Sequence, residues 1–364
     1  MTDNHDLLAT LAEIAPDSAL AQARQQRHAA TEHTQGSYLA LFGDDATILP
    51  RALRFAVARQ VAEWHQQPEL AQHYARHAGD DPRLADATDF AERLTFRPVS
   101  ATPQHLIALQ QAGWSDDEIV TLAQLVAFIA CQSRLLSGYR LIQAQAQPEQ
   151  QTPAVAGHWH TQPHTHSGKP APVVFTQASL GWEPWIAPKP LADFSADQQA
   201  ILARFGHTDS DYFRLLGRNL PVLEQRTLTD KGIFYTPGGL PRAERELAAT
   251  VASKVNGCIY CASVHARKAS QLAKQPDAVE RLLAVSPGQP LEQAQSPRWQ
   301  AEIAFAAALS ATPAVANVTQ INALREQGLD TLALLDLVQA TAFFAWANRL
   351  MLTLGEPFTQ ENLL

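Results

Sequence analysis

A chain of 364 residues, 46% hydrophobic and 18% charged, has the apolar content for one or two buried cores and is too apolar for wholesale disorder. Its formal net charge of −8 comes without a dense basic run, which argues against nucleic acid as a partner. Three cysteines, Cys131, Cys258 and Cys261, are too few for a disulfide framework and fit a reducing cytoplasm, and the opening residues lack the pattern of a secretion signal.

In chain order, the first recognisable feature is Leu49-Pro50-Arg51-Ala52, a proline placed where a helix begins. Farther on, Ser115 precedes Asp116, Asp117 and Glu118, an N-cap followed by an acidic first turn. Ile119, Leu122, Val126 and Ile129 then recur at helical spacing, and Cys131 falls in the same apolar stretch, where a core thiol is expected. Between Gln147 and Leu191 lie eight prolines together with His158, His160, His164 and His166, a composition that forbids a continuous helix and reads as an extended connector. The paired His-x-His spacing is a metal-binding pattern as well as a solvated-linker pattern, and the linker is the preferred expectation.

Beyond the connector the earlier features return. Leu240-Pro241-Arg242-Ala243 repeats Leu49 to Ala52 at an offset of 191 (Leu49 to Leu240). Ala342-Phe343-Phe344-Ala345 with Arg349 repeats Ala127-Phe128-Ile129-Ala130 with Arg134 at an offset of 215 (Ala127 to Ala342). The growth of the offset implies extra residues in the second half, expected around Ser286 to Pro297. The stretch Thr331 to Leu354 is strongly apolar but interrupted by Asp336, Asn348 and Arg349, so a soluble core helix is expected and not a membrane span. Alternating strand patterns are scarce. The expectation is an all-α protein of two tandem related helical domains, 1–147 and 191–364, joined by the connector 148–190, with the first domain degenerate.

The segment from Pro241 to His265 carries the chemistry. Leu247, Val251 and Val255 mark a helix that Asn256-Gly257 should end, and a second helix should start at or near Cys258. A helix N-terminus stabilises a thiolate. Cys258 and Cys261 at i and i+3 share one face, and His265 follows Cys261 by four residues on the same face. A neighbouring histidine can take a thiol proton, and Glu246, on a preceding helix folded back, would orient it. Cys258, Cys261 and His265 are also three candidate zinc ligands, and a non-catalytic redox sensor needs the same pair.

Glu246, eleven residues, Cys258-x-x-Cys261, three residues and His265 resembles the alkylhydroperoxidase D type of the carboxymuconolactone decarboxylase-like superfamily, in its peroxidase-related branch. The resemblance implies an AhpD-like helical fold and a thiol peroxidase used in antioxidant defence, a peroxiredoxin-type oxidoreductase. In it Cys261 attacks peroxide, Cys258 resolves, and His265 with Glu246 relays protons. It implies no cofactor and no metal, a peroxide substrate, a lipoyl-bearing or thioredoxin-like thiol reductant, no nucleic acid or membrane partner, and a homo-oligomer, dimer or trimer. A lactone decarboxylase of the same superfamily is the alternative. Some members carry a histidine where this chain has Tyr260. In the first half, Phe55, Gln67, Leu70 and Tyr74 occupy the positions equivalent to Glu246, Cys258, Cys261 and His265, so only the second half is expected to be active.

Overall fold

The computed structural model describes residues 6–144 and 154–360. The expected 147/148 boundary, with Pro148 and Pro153, lies outside the described residues. Before the connector run α1 (Leu7–Leu11), α2 (Ala19–Gln26), α3 (His28–Phe42), α4 (Arg51–Trp64), α5 (Pro68–Ala75), α6 (Leu84–Phe96), α7 (Pro103–Gln111) and α8 (Asp116–Ile142). After it come α9 (Ala196–Phe205), α10 (Asp211–Leu216), α11 (Leu220–Phe234), α12 (Arg242–Asn256), α13 (Ile259–Ala273), α14 (Pro276–Leu283), α15 (Pro297–Ser310), α16 (Val318–Glu326) and α17 (Thr331–Thr353). The fold is all-α. The described sheet is one antiparallel pair, β1 (Leu180–Pro184) and β2 (Gly355–Thr359), with Leu180 opposite Thr359 and Pro184 opposite Gly355.

Local sequence explains the helix ends. Ser115 caps α8 by accepting from the Glu118 amide, while Glu118 Oε2 accepts from the Ser115 amide at 2.9 Å. Asp330 caps α17 by accepting from the Ala333 amide at 2.8 Å. Gly257, at φ 74°, ends α12 in the left-handed conformation that glycine adopts without strain.

Several helices of the two halves start at matching offsets. Arg51 and Arg242, which begin α4 and α12, are 191 apart, as are Pro68 and Ile259, which begin α5 and α13. Pro103 and Val318, and Asp116 and Thr331, which begin the later pairs, are 215 apart. The extra residues lie partly upstream of the expected Ser286 to Pro297. They comprise the longer α13 (15 residues against 8 in α5) and α14, as well as the loop after α14.

These paired helices meet one another. α8 packs along α17, and α3 along α11, and one apolar core runs through both halves. Arg134 of α8 donates from Nη2 to the carbonyl of Ser310 at the end of α15 (2.9 Å). Arg349 of α17 donates to the carbonyl of Thr95 near the end of α6 (2.9 Å), and both guanidinium groups donate to Thr312 Oγ1 at 2.8 and 3.0 Å. The contact is reciprocal, as across an isologous dimer interface. α8 and α17 are buried on nearly every side, as helices apolar all round must be. α8 alone among the described helices is long and apolar enough to cross a membrane, and that apolar stretch is fully buried inside the protein. The polar groups that interrupt α17 have partners: Asp336 Oδ1 accepts from Arg27 Nε (2.6 Å) and Oδ2 from the Leu240 amide (2.9 Å).

Candidate active site

The site forms where α12 ends, the chain reverses at Gly257, and α13 begins. Cys258 is the capping residue of α13, and Cys261 sits in its first turn, where unpaired amides and the helix dipole favour a thiolate. The reversal is tight. A β-carbon on Gly257 would lie 2.1 Å from the His158 carbonyl oxygen, so glycine is needed for space as well as for its positive φ. Both cysteines are free thiols, buried together at the start of α13.

The proton chemistry of the two differs. The hydrogen bond from Cys258 holds the Cys261 thiol below its ordinary value against the opposing effect of burial, helped by a hydrogen bond with the Asn348 amide and by the Arg226 charge. Burial pushes Cys258 well up, and the charge on Cys261 pushes it further. One sulfur is therefore set up as the thiolate and the other as the thiol that hydrogen-bonds it.

α12 and α13 pack side by side, which brings Glu246 against His265. Glu246 Oε2 lies 2.5 Å from His265 Nδ1, and Oε1 accepts from Arg242 Nε at 3.1 Å. Burial raises the Glu246 carboxyl, but the hydrogen bond and charge of His265, with Lys268 and Arg242, bring it below its ordinary value, so it is ionised. With Nδ1 committed to the carboxylate, Nε2 is left to exchange protons. The ring is clamped by Phe344, edge-on at 4.3 Å, and by Phe234 at 5.8 Å. Cys261 and His265 open together into a cavity of about 590 Å³ whose wall includes Tyr212, Phe213, Tyr235, Tyr260, Phe343 and Met351.

The four residues singled out from the sequence thus converge. Sequence reasoning missed Asn348 and Arg226. Asn348, from α17, hydrogen-bonds Ser253 Oγ and the Asn256 amide, each at 3.0 Å, and the cysteine pair. Arg226, from α11, is held over the rings of Phe343, Trp346 and Tyr212 at 5.0 to 5.9 Å and adds positive charge near Cys261. Neither had a sequence signal, because each is brought in by packing. Tyr260 is half-buried and lines the cavity beside Cys261.

The connector also departs from expectation. It is not a detached linker: His160, His164 and His166 fold back over Cys258 around a second cavity of about 190 Å³. Among the described residues no group of three or more His, Cys, Asp or Glu side chains is arranged to hold a metal ion. At the positions 191 residues earlier in the first half there is no thiol, imidazole or carboxylate. Phe55 and Tyr74 pack on Phe42 at 5.1 and 4.8 Å, Leu70 is buried, and Gln67 Nε2 donates to Ser137 Oγ at 2.8 Å. Cys131 is buried in the core, and burial pushes its thiol up to about 12, which leaves it unreactive.

A comparison with curated proteins returned no match. Residues 221–321 match the model of the carboxymuconolactone decarboxylase family, a segment that contains Glu246, Cys258, Cys261 and His265. The part of the chain that carries the cysteine pair is therefore similar to the carboxymuconolactone decarboxylase family, within the AhpD-like superfamily.

Proposed function

We propose that the chain is a two-cysteine thiol peroxidase. The observation that carries the proposal is the Cys258–Cys261 pair at the start of α13, whose Cys261 shares a cavity with an imidazole held by an ionised carboxylate. The Cys261 thiolate attacks one oxygen of a hydroperoxide, the O–O bond breaks, and Cys261 becomes a sulfenic acid. His265, having taken the thiol proton, returns it to the departing alkoxide, while Glu246 stabilises the imidazolium between the two transfers. Cys258 then condenses with the sulfenic acid, losing water and closing the disulfide. A thiol reductant reopens it. An aromatic cavity favours organic hydroperoxides.

A lactone decarboxylase, the chemistry in the family's name, needs neither cysteine. The test is peroxide consumption by stopped flow in three forms of the protein. Wild type should turn over with a thiol, Cys261→Ser should be inactive, and Cys258→Ser should stop at a sulfenic acid that dimedone traps. Decarboxylation retained in both serine variants, with no peroxide consumed by wild type, would establish the alternative.

We further infer that the first half is a degenerate copy standing where a second subunit would otherwise pack. The matched helix offsets and the reciprocal Arg134 and Arg349 contacts support this. Each chain would then hold one site, work in a reducing cytoplasm, and assemble as a dimer or trimer.

A further inference from the structure

The two cysteines open onto different spaces. Cys261 faces the 590 Å³ cavity with His265, whereas Cys258 forms part of the wall of the 190 Å³ chamber roofed by the connector. The apolar wall of that chamber includes Ala171, Pro172, Ile259, Leu352 and Pro357, and its titratable groups include His160, His164, His166 and Glu356. One of these histidines is organised in the same way as His265. His166 Nδ1 lies 3.0 Å from Glu356 Oε1, and that oxygen also accepts from the His166 amide and from Trp185 Nε1, both at 2.9 Å. β2 supplies Glu356 and β1 leads into Trp185, so the small sheet fixes this carboxylate. His166 itself is exposed. With Nδ1 turned to the carboxylate, its Nε2 is free to accept a proton.

We propose that this chamber is the entry for the thiol reductant, a small thiol or a thiol on a slim arm, and that His166, held by Glu356, takes the proton of the incoming thiol as its sulfur attacks Cys258. This rests on the redox reading of the Cys258–Cys261 pair. The slim carrier follows from burial: Cys258 is 1% exposed, so the flat face of a folded redox protein cannot reach its sulfur.

The reductant thiolate forms a bond to Cys258 Sγ as the Cys258–Cys261 bond breaks, and the pair of electrons leaves on Cys261. A second thiol then attacks the reductant sulfur of the mixed disulfide. Cys258 leaves as a thiolate and takes the proton held by His166, while the second thiol's proton passes to solvent. Two thiols are oxidised to one disulfide and the protein disulfide is reduced. Attack at Cys258 expels Cys261, whose thiolate the nearby Arg226 charge stabilises as it leaves, and a better-stabilised leaving thiolate speeds the exchange. Peroxide and reductant thus reach the pair by separate routes, and neither blocks the other.

The test separates the half-reactions in the full-length chain. The disulfide is formed with diamide, so its reduction is measured whether or not the protein consumes peroxide; oxidation is measured separately, by stopped flow with cumene hydroperoxide. Ala171→Trp, or Ala171→Phe should the larger wedge fail to fold, is expected to slow reduction by 2-mercaptoethanol at least tenfold more than it slows oxidation. Val264→Trp, in the wall of the other cavity, should do the reverse. His166→Gln should slow reduction by 2-mercaptoethanol and spare reduction by trifluoroethanethiol, whose more acidic thiol needs no base. Equal effects of the chamber wedge on both half-reactions, or none on either, would overturn the separate entry. A His166→Gln deficit that is the same for both thiols would overturn the role of the imidazole. Reduction through the chamber in a protein that ignores every hydroperoxide would instead sink the peroxidase reading and leave the chamber standing.

Discussion

Three positions separate Cys258 from Cys261, and the surroundings give them opposite proton affinities. The hydrogen bond from Cys258 is the largest influence lowering the Cys261 thiol, so Cys258→Ala should move it back up. Iodoacetamide alkylation of Cys261 as a function of pH is the measurement. The wild-type midpoint should fall below that of a free thiol, and the variant's should be higher. Glu246 acts through His265, and two results should follow from its replacement. His265→Ala should lose roughly 10²- to 10⁴-fold in peroxide reactivity, the usual size of general acid–base assistance. Glu246→Gln should lose less, because the imidazole is still present. The sign of the stability effect is fixed by direction. Glu246 has its folded value below the ordinary value of about 4.5, so its contribution is complete above that pH and disappears as pH falls through the lower folded value. Urea midpoints across this acid range should fall more steeply for wild type than for Glu246→Gln. Equal slopes would mean that the 2.5 Å contact contributes no linkage.

At the scale of elements, the reversal between α12 and α13 is the feature on which the site depends. Gly257→Ala would place a methyl group on a left-handed backbone, costing about 1–2 kcal/mol, and against the His158 carbonyl as well. We expect the variant to lose at least that much stability to urea and to lose peroxide reactivity further, because the connector that presses on the turn must shift. A stable, fully active variant would show that the turn tolerates displacement. This reversal was legible in the sequence because its causes are local: Asn256-Gly257 breaks a helix, and i to i+3 and i to i+4 spacings put Cys258, Cys261 and His265 on one face. The Ser115 cap was legible for the same reason. The position of α14 was not, since nothing in Ser286 to Pro297 says where an insertion between matched helices starts. In its described part, 154–190, the connector is not α-helical, in keeping with its prolines. Its packing over Cys258 depends on β1 pairing with β2, about 170 residues away in sequence, which no local pattern encodes. Asn348 and Arg226 escaped for the same reason, since they belong to the site only through packing of α17 and α11.

Across the whole molecule, the two halves are closely joined and are expected to unfold together. Gly138 of α8 faces Val338 of α17 so closely that a β-carbon would lie 2.4 Å from Val338 Cγ1. Asp336 of α17 is tied at the same time to Arg27 of the first half and to the Leu240 amide of the second. Arg245 of the second half also lies 3.1 Å from Asp336, so removal of this carboxylate would leave two buried guanidinium groups without it, at a cost of about 3–5 kcal/mol. A local change at this seam should therefore be felt on both sides. Gly138→Ala is expected to destabilise the protein by about 1–3 kcal/mol, the range for added methyl groups in a packed core. The distinguishing measurement is native-state hydrogen exchange. The slowest amides of α8 and α17 should share one opening free energy in wild type, and both should fall by the same amount in the variant. If α8 lost protection while α12, α13 and α17 kept theirs, the halves would be independent folding units. The reciprocal Arg134 and Arg349 contacts would then reflect docking of finished domains. If all fall together, the first half is part of what holds Asn348 and the turn at Gly257 in place, which gives a physical reason to keep a half that lacks the cysteine pair.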